Sequence, residues 1–447
     1  MPKVIDKLSP GLRKIIRNIG WLSGEKLLGM ILNLSIGIYV IRYLGSGDFG
    51  KLSYCLSLVE LFGAIAKLGL DGVVVRELVQ DEESTSEILG TAFILKLCSS
   101  LAILPLVAWA VLALKGDAQT YWITIIIAWG LVFNSTEIID FWFQSKVLSR
   151  AIVIIRSIKL VVSSAAKLLF VWLRLPLSAF VWLILADAVM MAAGTIWIYL
   201  KQNQSVLAWK FNFTRAIALL KDSSPLILSG VMVVIYMKID QIMLGNLVNN
   251  EAVGNYAAAV RFSEVWYFFP VAICASVFPT IIRAREKSQQ EYYARLQQLY
   301  DLMAWMSLLI AIAMTFLSGV LVDALLGEGY AEAGDILALH IWAGPFVFLG
   351  VARSKWLIVE NFTRFNFATT ILGAIANVWL NFVLIPIYGG VGAAIATVVA
   401  YAVSSHVACF IYPKMFNCGW MLTKALFVPL RVRQNFSYLN NVKKILN

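Results

Sequence analysis

The 447-residue chain is 60% hydrophobic and only 14% charged, with a mean hydropathy of +0.79. Water-soluble domains carry about a quarter charged residues, so the composition excludes an ordinary soluble fold and points to the bilayer as solvent. The formal net charge of +11 lies in short segments between apolar stretches, with no basic run interleaved with aromatics; this excludes nucleic acid as a partner and is the distribution that the positive-inside rule produces.

The chain opens on the basic stretch MPKVIDKLSPGLRKIIRN and passes into an apolar run without a short hydrophobic region and small-residue cleavage site. An uncleaved first span is therefore expected. A hydrocarbon core of about 30 Å takes about 20 apolar helical residues. Stretches of that kind fall near 19–43, 49–71, 88–114, 120–143, 151–173, 177–200, 224–247, 254–282, 299–322, 333–358, 365–386 and 390–412. With the N-terminus inside, cytoplasmic segments hold 25 Lys and Arg and the opposite side holds four, Arg42, Lys51, Lys115 and Arg174. That asymmetry predicts an even number of spans with both termini cytoplasmic, in a bacterial cytoplasmic (inner) membrane.

The expected class is an all-α polytopic membrane protein of about 12 transmembrane helices in two six-helix lobes. The expected domains are an N-terminal lobe at 1–200, a cytoplasmic linker at 201–223 with four basic residues, a C-terminal lobe at 224–413 and a basic cytoplasmic tail at 414–447. Shifting the chain by 204 residues aligns Gly50 with Gly254 and Glu60 with Glu264. Both halves start on the same side, so the repeat is a parallel one.

Cys55, Cys98, Cys274, Cys409 and Cys418 are scattered, with no CxxC and no pair on an obvious common face. They read as small buried hydrophobes rather than a disulfide framework or a metal site. His340 and His406 are isolated in apolar stretches and read as hydrogen-bonded packing residues. Neither a cofactor nor a metal is implied. Gly390 and Gly392 imitate a dinucleotide loop, but no strand precedes them and no acidic ribose partner follows. A small-residue packing face over Gly392, Ala393, Ala394 and Ala396 is the better account.

Three segments resemble the oligosaccharide flippases, the Wzx-type lipid-linked polysaccharide translocases of the multidrug/oligosaccharidyl-lipid/polysaccharide exporter superfamily. They are Arg42-Tyr-Leu-Gly-Ser-Gly-Asp-Phe-Gly-Lys-Leu-Ser-Tyr54, the pair Ile239-Asp-Gln-Ile-Met-Leu-Gly245 and Val253-Gly-Asn-Tyr-Ala-Ala-Ala259, and Asn381-Phe-Val-Leu-Ile-Pro-Ile-Tyr-Gly-Gly-Val-Gly-Ala-Ala-Ile-Ala-Thr397. The resemblance implies a transporter, not an enzyme, that flips a polyprenyl-pyrophosphate-linked oligosaccharide across the membrane for surface polysaccharide such as O-antigen, by alternating access. Its partners would be that lipid-linked substrate, membrane lipids and other polysaccharide-assembly membrane proteins. A lipid II or multidrug exporter of the same superfamily is the near alternative. A membrane polysaccharide polymerase or glycosyltransferase is the distant one, which the short external loops and the lack of a DxD motif disfavour.

Charges at bilayer depth cost about 2.5–3.5 kcal/mol each even on lenient scales. Arg156, Lys159, Ser163 and Lys167 follow one another at steps of three, four and four, and so share one face of span 5. Lys238 and Asp240 fall on span 7, and Arg261 and Glu264, three apart and able to pair, on span 8. Arg156, Lys159, Lys167, Lys238 and Arg261 are the candidates for a wet cationic chamber that takes an anionic headgroup. Glu60, Asp140, Asp187, Asp240 and Glu264 are the candidates for ion pairing or ion coupling. Static intramembrane pairs and snorkelling side chains are the alternative for all ten.

Overall fold

A computed structural model describes residues 10–115, 117–360 and 362–431. Fifteen α-helices follow one another in these residues, with short 3-10 turns between some of them and no strand among them. In chain order they are α1 Pro10–Ala66, α2 Asp71–Gln80, α3 Thr85–Leu114, α4 Ala118–Phe133, α5 Ile138–Ser145, α6 Ser149–Trp172, α7 Leu177–Lys201, α8 Phe213–Leu247, α9 Asn250–Glu264, α10 Phe268–Lys287, α11 Gln289–Leu325, α12 Ala333–His340, α13 Ala343–Val359, α14 Thr363–Ser405 and α15 Phe416–Leu426.

Nine helical stretches among the described residues are long and apolar enough to span. Two of them are double. The chain reverses inside α1 at Gly45 (φ 71, ψ 168) and inside α14 at Gly389 (φ 55, ψ −131). Both conformations are closed to residues bearing a Cβ. Helix α6, 24 residues with four Arg and Lys, is not among the nine; counted as a span, and with each double stretch counted twice, it brings the number to the expected twelve.

The described chain folds as two compact units, 1–238 and 239–447, and the division falls within α8. The first unit has a core where α2, α3 and α5 meet, built from residues such as Leu78, Leu89, Ile139 and Phe143. The second has a core around Tyr300, Phe348 and Trp356. Fully buried Met415 and Leu422 add to that core, so α15 is packed into the second unit rather than trailing from it. In the second unit Ala393, Ala394 and Ala396 are fully buried.

The repeat is visible in where spans break. Span 4 is interrupted by a 3-10 turn at Asn134–Glu137, between α4 and α5. About 204 residues further on, span 10 is interrupted between His340 and Ala343. Each break leaves backbone groups outside the helical ladder, which bilayer-depth structure tolerates only against protein or a wet cavity.

Residues 201–212 are not slack. Lys210 N–H donates to Ser86 O at 3.1 Å and Asn212 N–H to Thr91 Oγ1 at 3.0 Å. The Trp209 ring packs on Phe93 and Tyr199, and the Lys210 backbone lies so close to Gly90 that a Cβ there would approach its oxygen to 2.5 Å. Arg215 then donates to Glu87 at 2.8 Å and Asp81 at 3.0 Å.

Candidate functional site

Helix α6 places its polar stripe against α5 and α7 in the first unit. Arg156 pairs with Asp140 of α5, a residue that is 6% exposed. Ser163 Oγ donates to Asp187 Oδ2 of α7 at 2.7 Å. One turn beyond Arg156, Lys159 borders a cavity of ≈ 340 Å³. The broken part of span 4 supplies Phe133, Asn134, Thr136, Glu137 and Asp140 to the same cavity. The remainder of its wall includes Glu25 and Asn33 from α1, Lys67, and Thr195 from α7.

The cavity mixes charges. Lys96, only 2% exposed, pairs with Glu137 at 2.9 Å and lies 5.1 Å from the centre of the Phe141 ring. Glu137 and Asp140 are thus each held by one cation; Lys67 acts by its charge on the Asp71 carboxyl, and Lys159 carries no carboxylate partner among the described residues. The sequence signal for Lys159 was the helical spacing. The signal missed was the break at Asn134–Glu137, because an Asn-Ser-Thr-Glu run inside an apolar stretch looks like tolerated polarity until the backbone is seen to leave the α-helical pattern.

Lys238 pairs with Glu60 at 3.2 Å, also within the first unit. Lys167 lies on the same face of α6 as Arg156, Lys159 and Ser163. Arg261 and Glu264 are both on α9, and the Glu264 carboxylate is the strongest charge acting on the Arg261 guanidinium.

Asp240 occupies a different setting, inside the second unit and 2% exposed. Its Oδ2 accepts from Tyr256 Oη at 2.6 Å and from Thr397 Oγ1 at 2.8 Å. Its Oδ1 accepts from Asn381 Nδ2, which also donates to Asn377 Oδ1 at 3.1 Å. No cation pairs with it among the described residues. The segments carrying Asp240, Tyr256 and Asn381 are those that resemble the flippases, so three separate stretches of sequence converge on one carboxylate. His340 lies edge-on to the Tyr256 ring, with centroids 6.0 Å apart.

Two further clusters lie in the second unit. Cys409, on the 3-10 turn Val407–Phe410, and Cys418, on α15, are both buried in its core, with Arg353 Nη1 3.4 Å from Cys409 Sγ and Tyr300 Oη 3.5 Å from Cys418 Sγ. Arg353 is buried within α13; its guanidinium donates to Ser404 O at 2.9 Å and Thr369 Oγ1 at 3.1 Å.

A twelve-span helical protein with a charged cavity inside one unit and a buried carboxylate network in the other belongs to the class of multi-span membrane transporters. The chain is a member of the polysaccharide biosynthesis protein family, whose model matches residues 15–285. The MatE family model matches residues 225–383. A curated protein of Haloferax volcanii, the probable flippase AglR, is 25% identical over 90% of this chain and 84% of its own length. The probable low-salt glycan biosynthesis flippase Agl15 of the same organism is 24% identical over 87% of this chain and 83% of its own. Among solved structures, the lipid II flippase MurJ in an inward closed conformation superposes with a TM-score of 0.68 at 15% identity, over 91% of this chain and 90% of that one. That likeness extends to the fold.

Proposed function

We propose that the protein is a flippase that carries a polyprenyl-pyrophosphate-linked oligosaccharide across the cytoplasmic membrane by alternating access, for surface polysaccharide or glycan assembly. The observation that carries this reading is Lys159, a cation in the middle of the 24-residue helix α6 that borders a cavity and has no carboxylate partner among the described residues. A charge in that position is costly unless it meets an anion that comes and goes. Pyrophosphate supplies one, through charge-assisted hydrogen bonds. Lys167 extends the same stripe, and Arg156 and Lys238 add positive potential within the first unit through ion pairs that leave part of each cation accessible; Arg261 is the cationic candidate of the second unit. The names of the two archaeal relatives, both probable flippases, support the same reading. Their source makes the cytoplasmic membrane, rather than a bacterial envelope in particular, the proposed location, with both termini inside. Membrane lipids and other polysaccharide-assembly proteins are the proposed partners, and no chemical step is assigned to the chain.

Coupling falls to the carboxylates. Asp240 is the strongest proposal, since a buried carboxylate without a cation is stable only while its donors or a proton compensate it. Glu264, Glu60, Asp140 and Asp187 are the further candidates.

The test is translocation of a fluorescent prenyl-pyrophosphate oligosaccharide in proteoliposomes. The double variant Lys159→Gln/Lys167→Gln should insert normally and lose flipping. Undiminished flipping in that variant overturns the reading.

A further inference from the structure

The cavity of the first unit has more polar equipment than a pyrophosphate needs. An anion site requires donors, yet this one presents two carboxylates that are already anchored. Lys96 holds Glu137 and Arg156 holds Asp140, and both acids line the cavity, where carboxyl oxygens are hydrogen-bond acceptors. A phosphate would be repelled by them. A hydroxyl group would be accepted.

The neighbouring groups fit the same ligand. Asn33 and Asn134 approach from α1 and from the broken span 4, and each amide both donates and accepts. Phe133 adds an aromatic surface beside them. The 3-10 turn at Asn134–Glu137 is what turns this polar set inward, at a depth where a continuous helix would otherwise be the stable solution. The volume of ≈ 340 Å³ stands at the lower end of the range for small-molecule sites, about 300–1,000 Å³. That is room for one or two sugar rings and not for an oligosaccharide.

We infer that this cavity is a sugar subsite, which binds the saccharide residue next to the pyrophosphate through Asn33, Asn134, Glu137 and Asp140, with Lys67 and Lys159 at its border facing the phosphates. The inference rests on the flippase reading and adds to it a specificity determinant in the first unit. Hydroxyl groups of a pyranose donate to the two anchored carboxylates and exchange hydrogen bonds with the two amides, while an apolar face of the ring covers Phe133. The subsite reads the first sugar; the rest of the glycan lies outside it.

The experiment compares binding of geranyl pyrophosphate with binding of geranyl-pyrophosphoryl galactose, glucose and N-acetylglucosamine to the full-length protein in nanodiscs. The wild type should bind at least one of the sugar-bearing probes about ten-fold more tightly than geranyl pyrophosphate. Asn134→Ala and Asn33→Ala, on different helices, should each cut that advantage by about five-fold, the effect of one lost hydrogen bond, and leave the Kd of geranyl pyrophosphate unchanged. A wild type that gains nothing from any of the three sugars overturns the subsite, as does an advantage kept in full by both variants. The flippase reading fails separately, if Lys159→Gln/Lys167→Gln leaves the Kd of geranyl pyrophosphate where it was.

Discussion

Tyr256 donates its hydroxyl to Asp240 at 2.6 Å, with both residues buried in the second unit. The acid has no cation beside it among the described residues, so its donors carry the whole compensation of its charge. Two variants separate the parts. Tyr256→Phe removes a donor from a buried acceptor and should lower stability by about 2 kcal/mol, read as a drop in Tm in detergent. Asp240→Asn removes the charge itself and should fold at least as stably. If Asp240 couples transport, flipping by the Asn variant should no longer respond to an imposed proton or sodium gradient. A variant that keeps both its rate and its gradient response moves coupling to Glu264, Glu60, Asp140 or Asp187.

The charge asymmetry between loops makes a topological prediction. Reporters fused after Lys115 and after Asp323 should read external, and one after Lys221 internal. An external signal at Lys221 would invert the whole arrangement and put the basic segments on the wrong side.

The Lys96–Glu137 pair predicts an asymmetry between its two deletions. Glu137→Gln leaves a buried ammonium without its carboxylate, which costs 3–5 kcal/mol in fully buried pairs. The Glu137 side chain is 38% exposed, so water takes part and about 2 kcal/mol is expected. Lys96→Met removes the buried charge and leaves an acid that water can reach, and should cost less. Thermal unfolding of both variants checks the order.

Gly45 adopts φ 71 and ψ 168 at the reversal between the first two spans. Gly45→Ala should lose about 1–3 kcal/mol, measurable as a lower fraction of monodisperse protein after extraction. An unchanged yield and Tm would show that the reversal can be rebuilt elsewhere.

Acid should loosen the segment before α8. Asp81 lies in a loop, and the Ser84 hydroxyl, then the Arg215 guanidinium and the Ser84 N–H, hold its carboxyl below the usual value of 3.8. A lowered value means that the contribution is complete above the ordinary pKa and disappears as pH falls through the depressed one. Hydrogen exchange over 203–212 should therefore stay slow from neutral pH to about pH 4 and rise below it. Arg215→Ala should raise it at pH 7.

Much of this architecture was legible in the sequence because burial in lipid leaves a one-dimensional trace. Spans announce themselves by length, and the stripe of α6 by its helical spacing. Loop cations predict a direction, which the reporter fusions test. The Asp240 network left a fainter trace. Its members sit in recognisable segments, yet Asn381 and Thr397 are 141 and 157 positions from Asp240, and no local rule brings them together. That Cys409 and Cys418 share one core was hidden for another reason: the chain turns through two 3-10 segments between them, so helical periodicity does not relate their positions.

The strap formed by residues 201–212 bears on how the protein is made. Its backbone fills the space above Gly90, and Arg215 behind it satisfies Asp81 and Glu87. When Leu200 leaves the ribosome, the first six expected spans have been translated, yet the unit that contains them still lacks these partners. The unit ends at Lys238, and at about 5–20 residues per second the missing segment takes roughly two to eight seconds to arrive. During that interval a nascent half-protein sits in the membrane with the seam over Gly90 open, the moment at which an insertion chaperone or a quality-control protease would find it.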